Sequence, residues 1–362
     1  MANKLGILFL PLLYRFICTF DHYPIETTTL GTVMRKVLHV GPCNTPGGMA
    51  KVIEILSENP PEGWVAETWQ SHVDSSPIAK YFHHRKMIKK LIKLLAGNNQ
   101  PEIIHIHTAA DWSWRRKARY VELCKQFSIP CVVHIHSGKF NDWLGDSNSK
   151  NSKNFRDLTS FEHCKIVVLN DGWKREMSSK IGECFVVSNP VDPKLVFENK
   201  GVDSKQILLL GRYDKVKGHD FAIKLLDKLR REYDSNIVMK MTGTGKFDVD
   251  GLECYEWVTE ENKLSLIQNS SMLIIPSEYE GQPLVMLEAL FCGTPCIVSD
   301  RIIDLPKPVI SAKYDDLNDW FKNAVELFDN PPDRAEINSS VQRFSIDSIK
   351  QNWQEIYDLL TN

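Results

Sequence analysis

Short apolar runs recur along the chain, and each ends in a glycine, a histidine or a polar turn. They fall at residues 37–40, 102–108, 130–138, 166–170, 206–211, 237–242, 272–275 and 297–299. Within them hydrophobic residues follow one another with little alternation, as in strands buried on both faces of a parallel sheet. Between the runs lie stretches with helical spacing at about 49–57, 83–95, 172–179, 221–232, 261–269, 283–292 and 345–360. Ala222, Leu225, Leu226 and Leu229 share one stripe of the fourth stretch; Ile349, Trp353, Ile356, Tyr357 and Leu360 share one stripe of the last. Strand and helix alternating over 362 residues predict two α/β domains with parallel sheets. A ligand site is expected between them, at the carboxyl ends of the strands.

One stretch carries the most chemistry. After the run 272–275 comes Pro-Ser-Glu-Tyr-Glu-Gly-Gln-Pro, with Gly281 suited to a tight turn and Pro283 to a helix start. The helix predicted from there to Cys292 stops at Gly293. This order aims backbone N–H groups and a positive dipole end beyond the strand, where a phosphate or diphosphate fits. Glu280 in the turn and Glu288 on the helix can both face one cleft. Carboxylates repel phosphate, so their task there would be to accept hydrogen bonds from sugar hydroxyls. The alternative is an ordinary helix with solvated glutamates.

Other stretches add to this. The run 206–210 ends in Gly211, and the cations Arg212 and Lys217 follow closely, where charge growing on a leaving diphosphate would need them. Lys215 reads as a solvated turn residue. Gly243-Thr-Gly245 closes the run 237–242 as a second glycine turn. After 37–40, a glycine-rich loop ends in Gly47 and Gly48, two positions for close backbone approach; it is neither a dinucleotide fingerprint nor a Walker loop. Two strands end in His-x-His pairs, His105/His107 and His134/His136. No carboxylate or cysteine stands beside them, so core packing is favoured over metal binding. His107 and His136 fall where the strands run out, with Ser137 and Gly138 shaping the following loop.

Composition narrows the class. A net charge of −2 leaves no global basic field for nucleic acid. Nine scattered cysteines without a C-x-x-C pair suit free thiols in a reducing cytosol. Residues 1–33 hold an apolar stretch interrupted by Pro11 and Arg15, too short to span a bilayer and without a cleavage site. Met34 looks like a natural start, so 1–33 is read as an extension of uncertain status. Residues 141–157, rich in Asn, Ser and Lys, read as a mobile loop over the acceptor. In 83–95, Arg85, Lys86, Lys89, Lys90 and Lys93 oppose Ile88, Leu91, Ile92 and Leu95. Two compatible readings stand: a surface helix packed on the sheet, and a contact with anionic lipid that Trp112, Trp114, Arg115, Arg116 and Arg119 would join.

The segment 276–295 resembles the E-x7-E signature of family 4 (group 1) retaining glycosyltransferases, matched at Glu280, Gly281, Glu288, Ala289, Gly293 and Pro295. Gln282 and Pro283 depart from the commoner Phe and Gly, which bears on specificity. Residues 211–218 resemble the family's Gly-Arg…Lys-Gly motif, and the resemblance extends from Met34 to the C-terminus. It implies a GT-B fold of two Rossmann-like domains facing across a cleft. Residues 34–195, completed by the helix 345–362, would form the acceptor domain, and 203–343 the donor domain. Arg212 and Lys217 would bind the donor diphosphate, Glu288 the ribose, and Glu280 and His136 the transferred sugar. Gly243, Gly281, Gln282 and Leu284 would complete the donor site; Gly47, Gly48 and Ser137 the acceptor and phosphate loops. The implied reaction is hexosyl transfer from a nucleotide sugar to a glycan or lipid-linked acceptor in surface polysaccharide or glycoconjugate synthesis. No cofactor and no metal are expected, because Arg, Lys and the helix end supply the positive charge. The expected location is the cytoplasm or, through residues 83–95, the periphery of the membrane's cytoplasmic face. A sugar-nucleotide epimerase, a phosphorylase and a non-catalytic partner subunit are the alternatives on this fold.

Overall fold

The computed structural model describes residues 34–198, 202, 205–245 and 247–361; the reading of 1–33 as an extension lies outside them. The first sheet is built from β1 (Arg35–Gly41), β2 (Trp64–Gln70), β3 (Ile103–Thr108), β4 (Cys131–Ile135), β5 (Cys164–Val168) and β6 (Cys184–Val186). Its helices are α1 (Gly48–Glu58), α2 (Pro77–Leu95), α3 (Trp112–Phe127), α4 (Phe140–Leu144), α5 (Lys150–Thr159) and α6 (Asp171–Ile181). The second sheet holds β7 (Gln206–Leu209), β8 (Val238–Thr242), β9 (Leu252–Tyr255), β10 (Met272–Ile275), β11 (Cys296–Ser299) and β12 (Val309–Ala312). With it go α7 (His219–Glu232), α8 (Glu260–Gln268), α9 (Leu284–Phe291), α10 (Leu317–Asp329), α11 (Arg334–Ser340) and, last in the chain, α12 (Ile346–Thr361).

Every strand pairing is parallel, as the continuous apolar runs require. The strand orders are β2-β1-β3-β4-β5-β6 and β12-β11-β10-β7-β8-β9. Each order reverses once, between β1 and β3 in the first sheet and between β7 and β10 in the second. At such a reversal the crossovers leave in opposite directions and a crevice opens beyond the strand ends. The segments that follow these four strands therefore supply most of the residues with chemistry to offer.

The final helix does not stay with the second sheet. Ile349, Trp353, Ile356, Tyr357 and Leu360 pack with Val37, Trp64, Ile103, Val132 and Val167 on the first sheet. The Tyr357 hydroxyl lies 2.9 Å from His105 Nδ1, and the Trp353 ring stands 4.3 Å from the His105 ring. Burying side chains of this size stabilises by about 1.5–3 kcal/mol each.

Two expectations need correction. Residues 141–157 are not a loop: they hold the end of α4 and most of α5. Ser149 caps α5 by accepting from the Ser152 N–H, and Phe155 is fully buried, so a polar sequence conceals one buried stripe. Trp114 is not a surface anchor. It is 5% exposed, packed 4.5 Å from Phe155, whereas Trp112 on the same helix is 69% exposed. Helix α2 starts earlier than 83, at Pro77 behind the cap Ser76. Leu91 and Leu95 are buried against the sheet, and Arg85, Lys86, Lys89, Lys90 and Lys93 are exposed. No described helix is long and apolar enough to cross a membrane.

Replacing Trp353 by alanine removes the largest side chain at the α12 contact. We expect a loss of about 3–5 kcal/mol in chemical denaturation; a loss below about 1 kcal/mol would mean the helix is dispensable to the first domain.

Candidate active site

The cleft lies between the two reversal points and encloses about 400 Å³. From the second domain, β7 runs into Gly211 and Arg212, and β10 runs into Pro276, Ser277 and the Glu280–Gly281 turn. From the first come Gly47 and Gly48 after β1 and His136 after β4. Four glycines make this packing possible. A Cβ on Gly281 would stand 2.1 Å from the His136 carbonyl oxygen, and one on Gly138 would stand 2.1 Å from the Glu280 carbonyl oxygen. A Cβ on Gly218 would meet the Pro276 carbonyl at 2.6 Å, and one on Gly243 the Gly211 carbonyl at 2.0 Å. Gly218 and Gly243 also have φ near +75°, where side chains are strained.

Hydrogen bonds clamp the two loops further. The Trp173 indole N–H donates to the Gly281 carbonyl at 2.8 Å. The Asn189 backbone N–H donates to Gln282 Oε1 at 2.7 Å, and its side-chain amide to the Gln282 carbonyl at 3.0 Å. Gln282 thus spends its carboxamide oxygen on the domain contact.

Two carboxylate–lysine pairs face the cleft. Lys217 forms an ion pair with Glu280, whose Oε1 also accepts from Ser277 Oγ at 3.2 Å. Lys263 Nζ lies 2.8 Å from Glu288 Oε1. Glu288 is 3% exposed, and its Oε2 has no partner. Burial holds the Glu288 carboxyl above its usual value, and the Lys263 ammonium offsets only part of that rise. For Lys263, burial opposes the charge, but the Glu288 and Glu260 carboxylates outweigh it and hold the pKa up. The amino end of α9 points into the same space with Pro283 at its cap and no side chain satisfying its free N–H groups. Arg212 is exposed at the cleft, and no ion pair engages it among the described residues.

The histidines form a hydrogen-bonded array. His136 Nε2 lies 2.9 Å from His107 Nδ1, and His107 Nε2 lies 3.0 Å from His39 Nδ1. His105 joins His134 at 3.1 Å. Burial lowers the pKa of all five rings, most plainly at His105, His107 and His134, so all are neutral at pH 7. His107 is fully buried, so of the two strand-end histidines only His136 reaches the cleft. Two trios, His39/His105/His107 and His107/His134/His136, bring ring nitrogens close enough together for a metal, but most of those nitrogens are occupied by one another.

Of the residues singled out from sequence, Gly47, Gly48, His136, Arg212, Lys217, Glu280, Gly281, Gln282, Leu284 and Glu288 line one cleft. Gly243 and Ser137 do not: Gly243 packs under the Arg212 loop, and Ser137 Oγ accepts from the Lys139 N–H. Lys263 and Asn189 also line the cleft and were not foreseen; Trp257, in the stretch 254–257 that the resemblance sets beside the base, lines it as well. Thr259-Glu-Glu-Asn is a helix start, and it was the one available signal that Lys263 sits one turn into α8.

The family model for glycosyl transferases group 1 matches residues 193–352. An uncharacterized glycosyltransferase of Methanocaldococcus jannaschii is 27% identical over 250 residues, covering 60% of this chain and 62% of the relative. A glycogen synthase of Mycobacterium tuberculosis is 22% identical over 230 residues, covering 56% of this chain and 52% of the relative. The matched part is thus less than two thirds of the length of either. Among solved structures, sucrose-phosphate synthase from Thermosynechococcus elongatus superposes with a TM-score of 0.69 at 15% identity, covering 90% of this chain and 99% of the other. The chain has the GT-B fold, and its residues 193–352 are similar to the group 1 glycosyl transferases.

Proposed function

We propose that the protein is a retaining, family 4 glycosyltransferase. It would move a sugar from a nucleoside-diphosphate donor to a glycan or lipid-linked acceptor in polysaccharide or glycoconjugate synthesis. The observation that carries this reading is Glu288 Oε2, a buried carboxylate oxygen in the cleft wall with no donor of its own. A buried acceptor left unpaired is costly. The vicinal hydroxyls of a ribose supply the missing donor, and Lys263 keeps the carboxylate charged to receive it.

The rest of the cleft supports the same assignment. A diphosphate at the amino end of α9 meets free N–H groups, the Lys217 ammonium and the Arg212 guanidinium. Lys217 then stands between Glu280 and the leaving group, stabilising the charge that grows as the bond from the anomeric carbon to the diphosphate oxygen breaks. The acceptor hydroxyl oxygen bonds to the anomeric carbon on the face the diphosphate leaves, and its proton passes to the departing phosphate oxygen. Configuration is thereby retained. Glu280 orients the sugar, and neutral His136 offers it a hydrogen-bonding ring nitrogen. With two cations and a helix end at the diphosphate, the step needs no metal. The exposed basic face of α2 would lie along an anionic membrane when the acceptor is lipid-linked.

Melting curves with UDP, GDP and ADP, and with their sugar conjugates, test the donor site. One base should stabilise the chain by about 2.7 kcal/mol at 100 times its dissociation constant, and Glu288→Ala should abolish the shift. No shift with any nucleotide would contradict the assignment. For the chemical step, Lys217→Met should lower kcat roughly 10²–10³-fold while the protein stays folded by circular dichroism; full activity in this variant would remove Lys217 from the mechanism.

A further inference from the structure

The first domain holds a second concentration of unsatisfied polar groups, and none of them lines the cleft. Of twelve buried side-chain atoms without a partner among the described residues, five belong to Trp69, His84, Arg116, Lys117 and Tyr120, so two fifths of them sit in one neighbourhood. The His84 and Tyr120 rings stand edge to face at 5.7 Å. The Trp69 indole N–H neighbours the Tyr120 hydroxyl. The Arg116 and Lys117 charges act on both His84 and the neighbouring His72. Lys117 is fully buried, and its Nζ has no partner. No carboxylate is ion-paired with Arg116 or Lys117 among the described residues.

The indole N–H, the phenol, the imidazole, the guanidinium and the ammonium can all donate, and two of the five groups are cations. An unpaired buried cation is costly unless a counter-charge arrives. We propose that Trp69, His84, Arg116, Lys117 and Tyr120 form a binding site for a phosphoryl group, by which the first domain holds a phosphate-bearing acceptor. Several donors and two cations match a tetrahedral dianion, which offers three oxygens, better than a carboxylate. Arg116 remains partly exposed, which gives an entry.

Location favours an acceptor role. The Lys117 charge is felt at His136 in the cleft wall and at Cys43 in the loop after β1. The site therefore lies at the carboxyl edge of the first sheet, beside the cleft. Burial, with Arg116 adding to it, brings the Lys117 amine down to about 7. Phe82 on α2 and Trp112 on α3 are exposed at 65% and 69% and offer apolar surface to the rest of an acceptor. The role as acceptor handle rests on the glycosyltransferase reading; phosphoryl binding itself does not.

The test is a melting and calorimetric titration of the full chain with inorganic phosphate, with acetate as control and a nucleoside diphosphate in parallel. Phosphate should raise the melting temperature and acetate should not. K117M should melt higher than wild type without phosphate, since an unpaired buried charge is gone, and bind phosphate at least about tenfold more weakly. R116Q, at a partly exposed position, should weaken phosphate without altering the basal melting temperature. Equal phosphate responses in wild type and both variants, or an equal response to acetate, would overturn the site. No phosphate response in the wild type, with its nucleotide response present, would sink this inference and leave the donor assignment standing; a phosphate response without a nucleotide response would do the opposite. Sedimentation with phosphatidic acid vesicles against phosphatidylcholine vesicles separates the sources. Lys117-dependent pelleting with phosphatidic acid alone marks a lipid phosphate, and phosphate binding without such pelleting marks a soluble phosphate ester.

Discussion

The architecture depends on one backbone-to-backbone contact between the domains. The Glu280–Gly281 turn and the His136–Gly138 loop lie against each other with no room for a side chain at either glycine. Trp173 and Asn189 fix the contact with hydrogen bonds to Gly281 and Gln282. It sets the distance between the sheets and fixes which groups meet in the cleft. Because the contact is made by backbone, it holds the side chains of Glu280 and His136 at the cleft wall rather than consuming them.

Around this contact the charges are arranged in balanced pairs. Lys217 is held by Glu280 and Lys263 by Glu288, so these four groups add no net charge to the cleft. A donor would exploit that balance. Its diphosphate competes with Glu280 for Lys217, while its ribose takes the carboxylate oxygen that Lys263 leaves free. The first domain offers the contrast. The five histidines at its strand ends are neutral and mostly bond to one another, whereas Arg116 and the buried Lys117 amine have no carboxylate paired with them among the described residues, so its unmet demand is for an anion.

Much of this was legible in the residues. Continuous apolar runs gave eight of the strands their parallel, buried character, and the turn residues around Gly211, Gly281 and Gly293 placed the loops. The exposed edge strand β2, Trp-Val-Ala-Glu-Thr-Trp-Gln, carries no such run and was not visible, nor was β12, whose residues are mostly partly exposed. α5 was hidden because one buried face of Phe155 and Thr159 is all that distinguishes it from a polar loop. At the site, spacing brought Glu280, Glu288, Arg212 and Lys217 together because each follows directly from a strand end. Lys263 and Asn189 depend on contacts between segments 25 and 93 residues apart, which no local pattern encodes. Gly243 was placed on the nucleotide for its conformation, but its φ of +76° serves the packing of Gly211.

The central claim is that the amino end of α9, Lys217 and Glu288 receive the two ends of a nucleoside diphosphate. A crystal structure of the chain soaked with the nucleoside diphosphate that stabilises it tests this most directly. The β-phosphate should lie within hydrogen-bonding distance of Lys217 Nζ and the Leu284 N–H, with a ribose hydroxyl on Glu288 Oε2. A nucleotide bound elsewhere, with the Lys217–Glu280 pair unchanged and Glu288 Oε2 still unpartnered, would contradict it.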